Sequence, residues 1–159
     1  MVHRLIDELQ QKIDEVQGLY YRLILVISPI ENAQSSAFKT LAEQANWGVF
    51  NVNLELSRRM LTLTARQRAL KTHSLLNDLI VSVENETILL TNINLLFDPA
   101  LRQDPLRLLQ NLSRYKTVIA IWEGTVQEQY LSYAEPEHPE YRRYSTRDLI
   151  LISLASMSL

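Results

Sequence analysis

Apolar positions along the chain follow two different periods, and the switches between them outline the fold. Residues 2–17 carry Val2, Leu5, Ile6, Leu9, Ile13 and Val16 at helical spacing with acids between them, predicting an N-terminal helix with Gly18 as its stop. The run Leu19-Tyr20-Tyr21-Arg22-Leu23-Ile24-Leu25-Val26-Ile27 then turns almost wholly aliphatic, the pattern of a strand buried on both faces of a parallel sheet. Helical spacing returns over Ser35–Ala45, and a short strand is expected from Trp47 to Val52. Glu55–Ile80 is helical again, with a break near Thr62–Thr64, where Thr64 suits the N-cap of a second helix. Glu86–Asn92, Thr117–Trp122 and Asp148–Ser153 read as three more strands. Asp104-Pro105 opens a helix running to about Arg114, because proline at the first helical position loses no hydrogen bond. Between Trp122 and Asp148 the pattern weakens: Tyr130–Tyr133 suits an edge strand, and Pro136–Tyr144 reads as loop. Strands alternating with helices predict one three-layer α/β domain over residues 1–159, with a parallel five-stranded sheet and an extra N-terminal helix.

Composition narrows the chemistry. The 159 residues are 47% hydrophobic with a formal net charge of -2, as expected for one globular domain without strong bulk attraction to nucleic acid. There is no cysteine, which excludes disulfides, thiolate metal sites and thiol catalysis. His3, His73 and His138 show no metal-ligand spacing. No apolar run is long enough for a membrane span, and the amino-terminal segment lacks the core of a signal peptide, so a cytoplasmic location is expected. Only Gly18, Gly48 and Gly124 are glycines, where average usage gives roughly eleven.

That scarcity matters at the first strand-to-helix turn, where ligands bind in such sheets. Ser28-Pro29-Ile30-Glu31-Asn32-Ala33-Gln34-Ser35 fits the spacing of the phosphate loop G-x-x-x-x-G-K-[ST]. Ser28 and Ala33 stand in place of the glycines, Gln34 in place of the lysine, and only Ser35 matches. On the strand Ile88–Phe97, Thr91 stands where an acid would hold magnesium and Asn94 where an acid would activate water. Gln34 offers only a neutral hydrogen bond, about half as strong as a charged one. The set Ser28, Ala33, Gln34, Ser35, Thr91 and Asn94 therefore reads as a vestigial nucleotide site, without catalytic residues or a metal, in which ATP and magnesium are doubtful. The competing reading is an ordinary strand–helix turn.

Two further segments are distinctive: Leu95–Arg114 (LLFDPALRQDPLRLLQNLSR) and Tyr133–Tyr144 (YAEPEHPEYRRY). Together they resemble the BrxF family, the small P-loop proteins of type III bacteriophage exclusion (BREX) systems, with similarity from about Tyr20 to Ser153. The resemblance implies a P-loop NTPase-like (ASCE/AAA-like) fold and a role in antiphage defence. The implied partners are a large ATPase, a PglZ-like protein and a DNA methyltransferase.

Charge is unevenly distributed. Ser57–Lys71 holds Arg58, Arg59, Arg66, Arg68 and Lys71 without an acid, whereas Glu123–Glu140 holds Glu123, Glu128, Glu135, Glu137 and Glu140 without a base. Complementary faces of this kind steer subunits together, and a head-to-tail homo-oligomer is expected; solvated surface is the alternative. The basic stretch also suits DNA phosphates, although nothing resembles a recognition helix. Arg142 and Arg143 either serve a neighbour's site or pair with nearby acids, and Tyr141 and Tyr144 either anchor an interface or pack their loop against the body. His138 suits a scaffold role, and Trp122 either the core or the wall of a vestigial pocket. The expectation is a non-catalytic or weakly nucleotide-binding P-loop-like subunit acting in assembly or regulation. Its alternatives are an ATPase completed by a neighbouring subunit and a DNA-contacting adaptor.

Overall fold

The structure, a computed structural model, describes residues 2–28 and 35–154. Helix α1 (Val2–Val16) precedes strand β1 (Leu23–Ser28), helix α2 (Ser35–Ala45) and strand β2 (Gly48–Asn51). Helices α3 (Val52–Met60) and α4 (Ala65–Val81) lead to β3 (Thr87–Thr91). Two 3₁₀ turns, Asn94–Phe97 and Pro99–Leu101, and helix α5 (Pro105–Leu112) lead to β4 (Thr117–Glu123). Strands β5 (Thr125–Gln127), β6 (Tyr130–Tyr133) and β7 (Arg142–Ser145) follow, and β8 (Ile150–Ser153) closes the described chain.

The main sheet has the order β2-β3-β4-β1-β8, and every pairing is parallel. This is the three-layer P-loop-like α/β architecture expected from the alternation of strands and helices. β1 is buried along its whole length, as its unbroken aliphatic run requires. Its side chains alternate between two cores: Leu23, Leu25 and Ile27 face α3–α5, whereas Ile24 and Val26 face α1 and α2. The N-terminal helix packs on its own sheet, burying Leu9, Ile13 and Val16.

Local signals set most boundaries. Thr64 caps α4 in a reciprocal box: its hydroxyl accepts from the Gln67 N–H, and its own N–H donates to the Gln67 side chain. Asp104 caps α5 ahead of Pro105, accepting from the Arg107 N–H at 3.3 Å. Several boundaries differ from expectation: the strand read over Ile88–Phe97 ends at Thr91, and Asn94–Phe97 is a 3₁₀ turn because the chain turns at Asn92. α1 ends at Val16 and Gly18 has no left-handed conformation; β1 begins at Leu23, four residues after the apolar run starts. Leu19 and Tyr20 are exposed, because the chain needs them to turn from helix to sheet.

The larger difference lies after β4. Tyr130–Tyr133 is not an edge strand but the centre of a second, antiparallel sheet of order β5-β6-β7. Arg142–Ser145, at the end of the expected loop, is its third strand. β7 is polar and largely exposed, so no apolar alternation marks it; its place comes from backbone pairing with β6. Tyr144 ties this meander to the body. Its ring meets the Trp122 edge at 5.9 Å, and its hydroxyl donates to Asp104 Oδ1 at 2.7 Å. Burial pushes the phenol well above its ordinary pKa, and the Asp104 carboxylate adds to the shift. Tyr144 is thus a packing residue.

Candidate functional site

Parallel pairing brings the carboxyl ends of β1, β3 and β4 to one edge of the sheet. After β1 the chain passes to the α2 face, and after its neighbour β4 it passes to the meander on the opposite face. Such a switch point opens a crevice, the usual binding position in open α/β sheets. Ser28 and Glu123 face each other in register there, and the Gly124 N–H donates to the Ser28 carbonyl at 3.2 Å.

Ser28 is the last residue of β1 and Ser35 the first of α2, so the eight-residue spacing runs from strand end to helix start, as a phosphate loop does. Ala33 and Gln34 lie outside the described residues. Thr91 ends β3 with its side chain buried, its hydroxyl 3.5 Å from the Phe50 carbonyl. Beyond it the backbone turns through Asn92, at φ 51°. Asn53 secures this turn twice: its N–H donates to the Asn92 carbonyl at 2.9 Å, and its side-chain oxygen accepts from the Leu95 N–H at 2.8 Å.

Asn94, where an activating acid was sought, has a different task. Its amide nitrogen donates to Glu123 Oε2 at 3.2 Å and to the Tyr133 hydroxyl at 2.9 Å. Tyr133 stacks on Phe97 with centroids 3.6 Å apart and planes 9° from parallel. The Trp122 ring meets Phe97 edge-on at 5.1 Å, and its Nε1–H donates to the Ser132 carbonyl at 3.1 Å. Asn94 therefore joins the ends of β3 and β4 to the meander, over an aromatic floor. Glu123 and Tyr133 complete this arrangement, and sequence reasoning missed the pairing. The available signal was a carboxylate directly following the buried strand Thr117–Trp122.

A depression of about 470 Å³ lies beside this junction, lined by Glu123, Ser132, Ala134, Glu135, His138 and Glu140 among others. His138 Nδ1 accepts from the Glu140 N–H at 3.0 Å, the scaffold role its position suggested. Among the described residues no three His, Asp or Glu side chains converge as metal ligands. Among the described residues, positions 91 and 94 do not fit magnesium. Magnesium is held by carboxylates together with phosphates, but position 91 offers only a buried hydroxyl and position 94 an engaged amide. Glu123 reaches the edge with its Oε2 already accepting from Asn94, and Glu135 and Glu140 add a field that repels polyphosphate.

The basic residues divide into separate groups. Arg58 and Arg59 pair with Glu55 at 3.5 and 2.7 Å. Arg68 donates through Nε to the Met60 and Leu63 carbonyls, closing the end of α3. Arg66 and Lys71 are exposed on α4. On β7, Arg142 donates to the Gln103 carbonyl at 2.7 Å, and Arg143 lies 3.6 Å above the Tyr130 ring, so neither makes the acid pairing considered for it. No helix among the described residues is long and apolar enough to cross a membrane. No family model, curated protein or solved structure matches this chain.

Proposed function

We propose that this chain is a non-catalytic P-loop-like subunit of a BREX-type antiphage defence assembly, acting in its assembly or regulation. The resemblance carried by residues 95–114 and 133–144 is what supports the pathway, and the sheet order agrees with the fold it implies. The observation that carries the non-catalytic role is the Asn94 amide, engaged by Glu123 and Tyr133 where an NTPase would place a free carboxylate. An amide has no basic oxygen with which to take a proton from an attacking water, and the Asn94 nitrogen is already held by two partners. The nucleotide edge has become a structural junction, and its side chains hold a shape.

Calorimetric titration with ATP and magnesium tests the chemistry. No saturable heat is expected at millimolar nucleotide; micromolar binding would overturn the reading, because Ser28–Ser35 would then still hold phosphate. Co-purification tests the pathway independently. Tagged protein expressed with the large ATPase, PglZ-like protein and methyltransferase of a type III locus is expected to retain at least one of them through washing in salt. Retention of none removes the defence assignment while leaving the calorimetric result intact.

A further inference from the structure

The α3–α4 turn and the 3₁₀ turn Pro99–Leu101 enclose two adjoining depressions of about 690 and 300 Å³, which share Ala65 and Ala100. Their walls are mainly apolar, and two leucines stand at the rim unusually bare: Leu61 is 77% exposed and Leu70 73%. Single exposed leucines are ordinary, but two flanking a continuous apolar groove are characteristic of a contact surface. Arg66 and Arg102 line the larger depression, with no acid among its lining residues, while the smaller one holds Arg68 and Asp98, so the groove's excess positive charge lies at its larger end. The occupant must therefore combine negative charge with compact apolar groups.

The segment Glu135-Pro136-Glu137-His138-Pro139-Glu140, between β6 and β7, has that chemistry. It carries three carboxylates and two exposed prolines and holds no lysine or arginine. Its turns are held by the His138 N–H to the Glu135 carbonyl at 2.9 Å and the Tyr141 N–H to the His138 carbonyl at 3.0 Å. A loop already shaped by proline and hydrogen bonds loses little entropy on docking.

The two surfaces lie side by side. Arg142, two residues beyond this loop, donates to the Gln103 carbonyl, and Gln103 Nε2 donates to the Ala69 carbonyl in the groove wall at 2.9 Å. A basic apolar groove next to an acidic loop is self-complementary: two copies related by a two-fold axis place each loop in the other's groove. We propose that the protein forms a two-fold homodimer in which Glu135–Glu140 of each copy docks between Leu61, Leu70, Arg66 and Arg102 of the other. The side-by-side placement favours this closed pair over the head-to-tail chain suggested by charge alone. The proposal is independent of whether nucleotide binds.

Sedimentation velocity on the full chain tests it. The wild type is expected to reach the mass of two chains and no more, with dissociation promoted by salt. R66E and E137R each create two repulsive contacts per dimer, because symmetry repeats the substitution. At about tenfold per contact, each weakens association roughly a hundredfold. Mixing the two variants restores opposite charges at both contacts, so the heterodimer is expected at wild-type strength. Both positions are exposed, and melting temperatures of the monomers serve as the folding control. A wild type that is monomeric at low salt overturns the proposal, as do masses growing beyond two chains, or variants that fail to associate when mixed.

Discussion

Gly124→Ala is expected to lower stability by about 3 kcal/mol, at the upper end for overpacking. A methyl group at this position overlaps the Ser132 carbonyl oxygen and comes within 2.8 and 2.9 Å of Nε1 and Cδ1 of Trp122. A flexible side chain would yield to such a contact, but here the nearest obstacle is backbone in the middle of β6. That carbonyl also accepts the indole N–H, so moving it breaks the hydrogen bond of the fully buried Trp122. The two sheets meet through this glycine: its N–H donates to the Ser28 carbonyl, and the strand that begins at Thr125 pairs with β6. For a chain of this size the loss corresponds to a fall in melting temperature of roughly 6–12 °C. Calorimetry checks it, and a shift within a degree of wild type would show that the sheets are not in close contact at this point. Gly48 provides the contrast, since a methyl there meets chiefly the movable end of Ile88.

The second large effect comes from restoring the acid that the nucleotide motif would require. Asn94→Asp keeps the shape of the side chain but removes the N–H group that donates to both Glu123 and Tyr133. It also places a carboxylate about where the amide now lies, 3.2 Å from Glu123 Oε2. Two carboxylates at that separation do not both ionise readily, so the proton affinity of the pair rises in the folded protein. The sign follows directly. Below the ordinary carboxylate pKa of about 4 the new group is protonated in both states, and it donates to Glu123 at little cost. As pH rises, the unfolded chain releases its proton first, and folded stability declines until the raised pKa has been passed. The variant is expected to match wild type to within about 0.5 kcal/mol at about pH 4 and below, and to fall about 2 kcal/mol below it at neutral pH. Thermal melts at several pH values test this; a deficit that does not widen with pH would mean that residue 94 does not meet Glu123. No ATP hydrolysis is expected to return, because the introduced carboxylate meets Glu123 instead of a free water.

How much of this was legible in the sequence follows from the range of the forces involved. The helix caps at Thr64 and Asp104 act over three residues, so side-chain type and spacing show them directly. The three central strands β1, β3 and β4 announced themselves through aliphatic runs, since burial on both faces removes most polar residues from the strand. β7 left no such mark: Arg142 and Arg143 are exposed, and only pairing with Tyr133 and Ser132 makes them a strand. The basic stretch 57–71 looked unopposed, yet Glu55, just outside it, pairs with two of its arginines at helical spacing and offsets one of their charges. A stretch counted along the chain is not a patch on the surface.

The candidate site divides in the same way. Neutral Thr91, at the end of the third strand, and Asn94, three residues beyond it, predicted a missing charge. What Asn94 does instead depends on Glu123 and Tyr133, which lie 29 and 39 residues farther along the chain. The sequence alone determined the layered α/β architecture, the ends of most helices and the absence of acids where magnesium chemistry needs them, because periodicity, capping and residue type are local. Only the tertiary structure decided that Asn94 bridges two strands and the meander, that Gly124 lies against a backbone carbonyl, and that the acidic loop adjoins the basic groove. Those contacts join segments distant in sequence, and their geometry is set by how the sheet, the aromatic floor and the meander pack together.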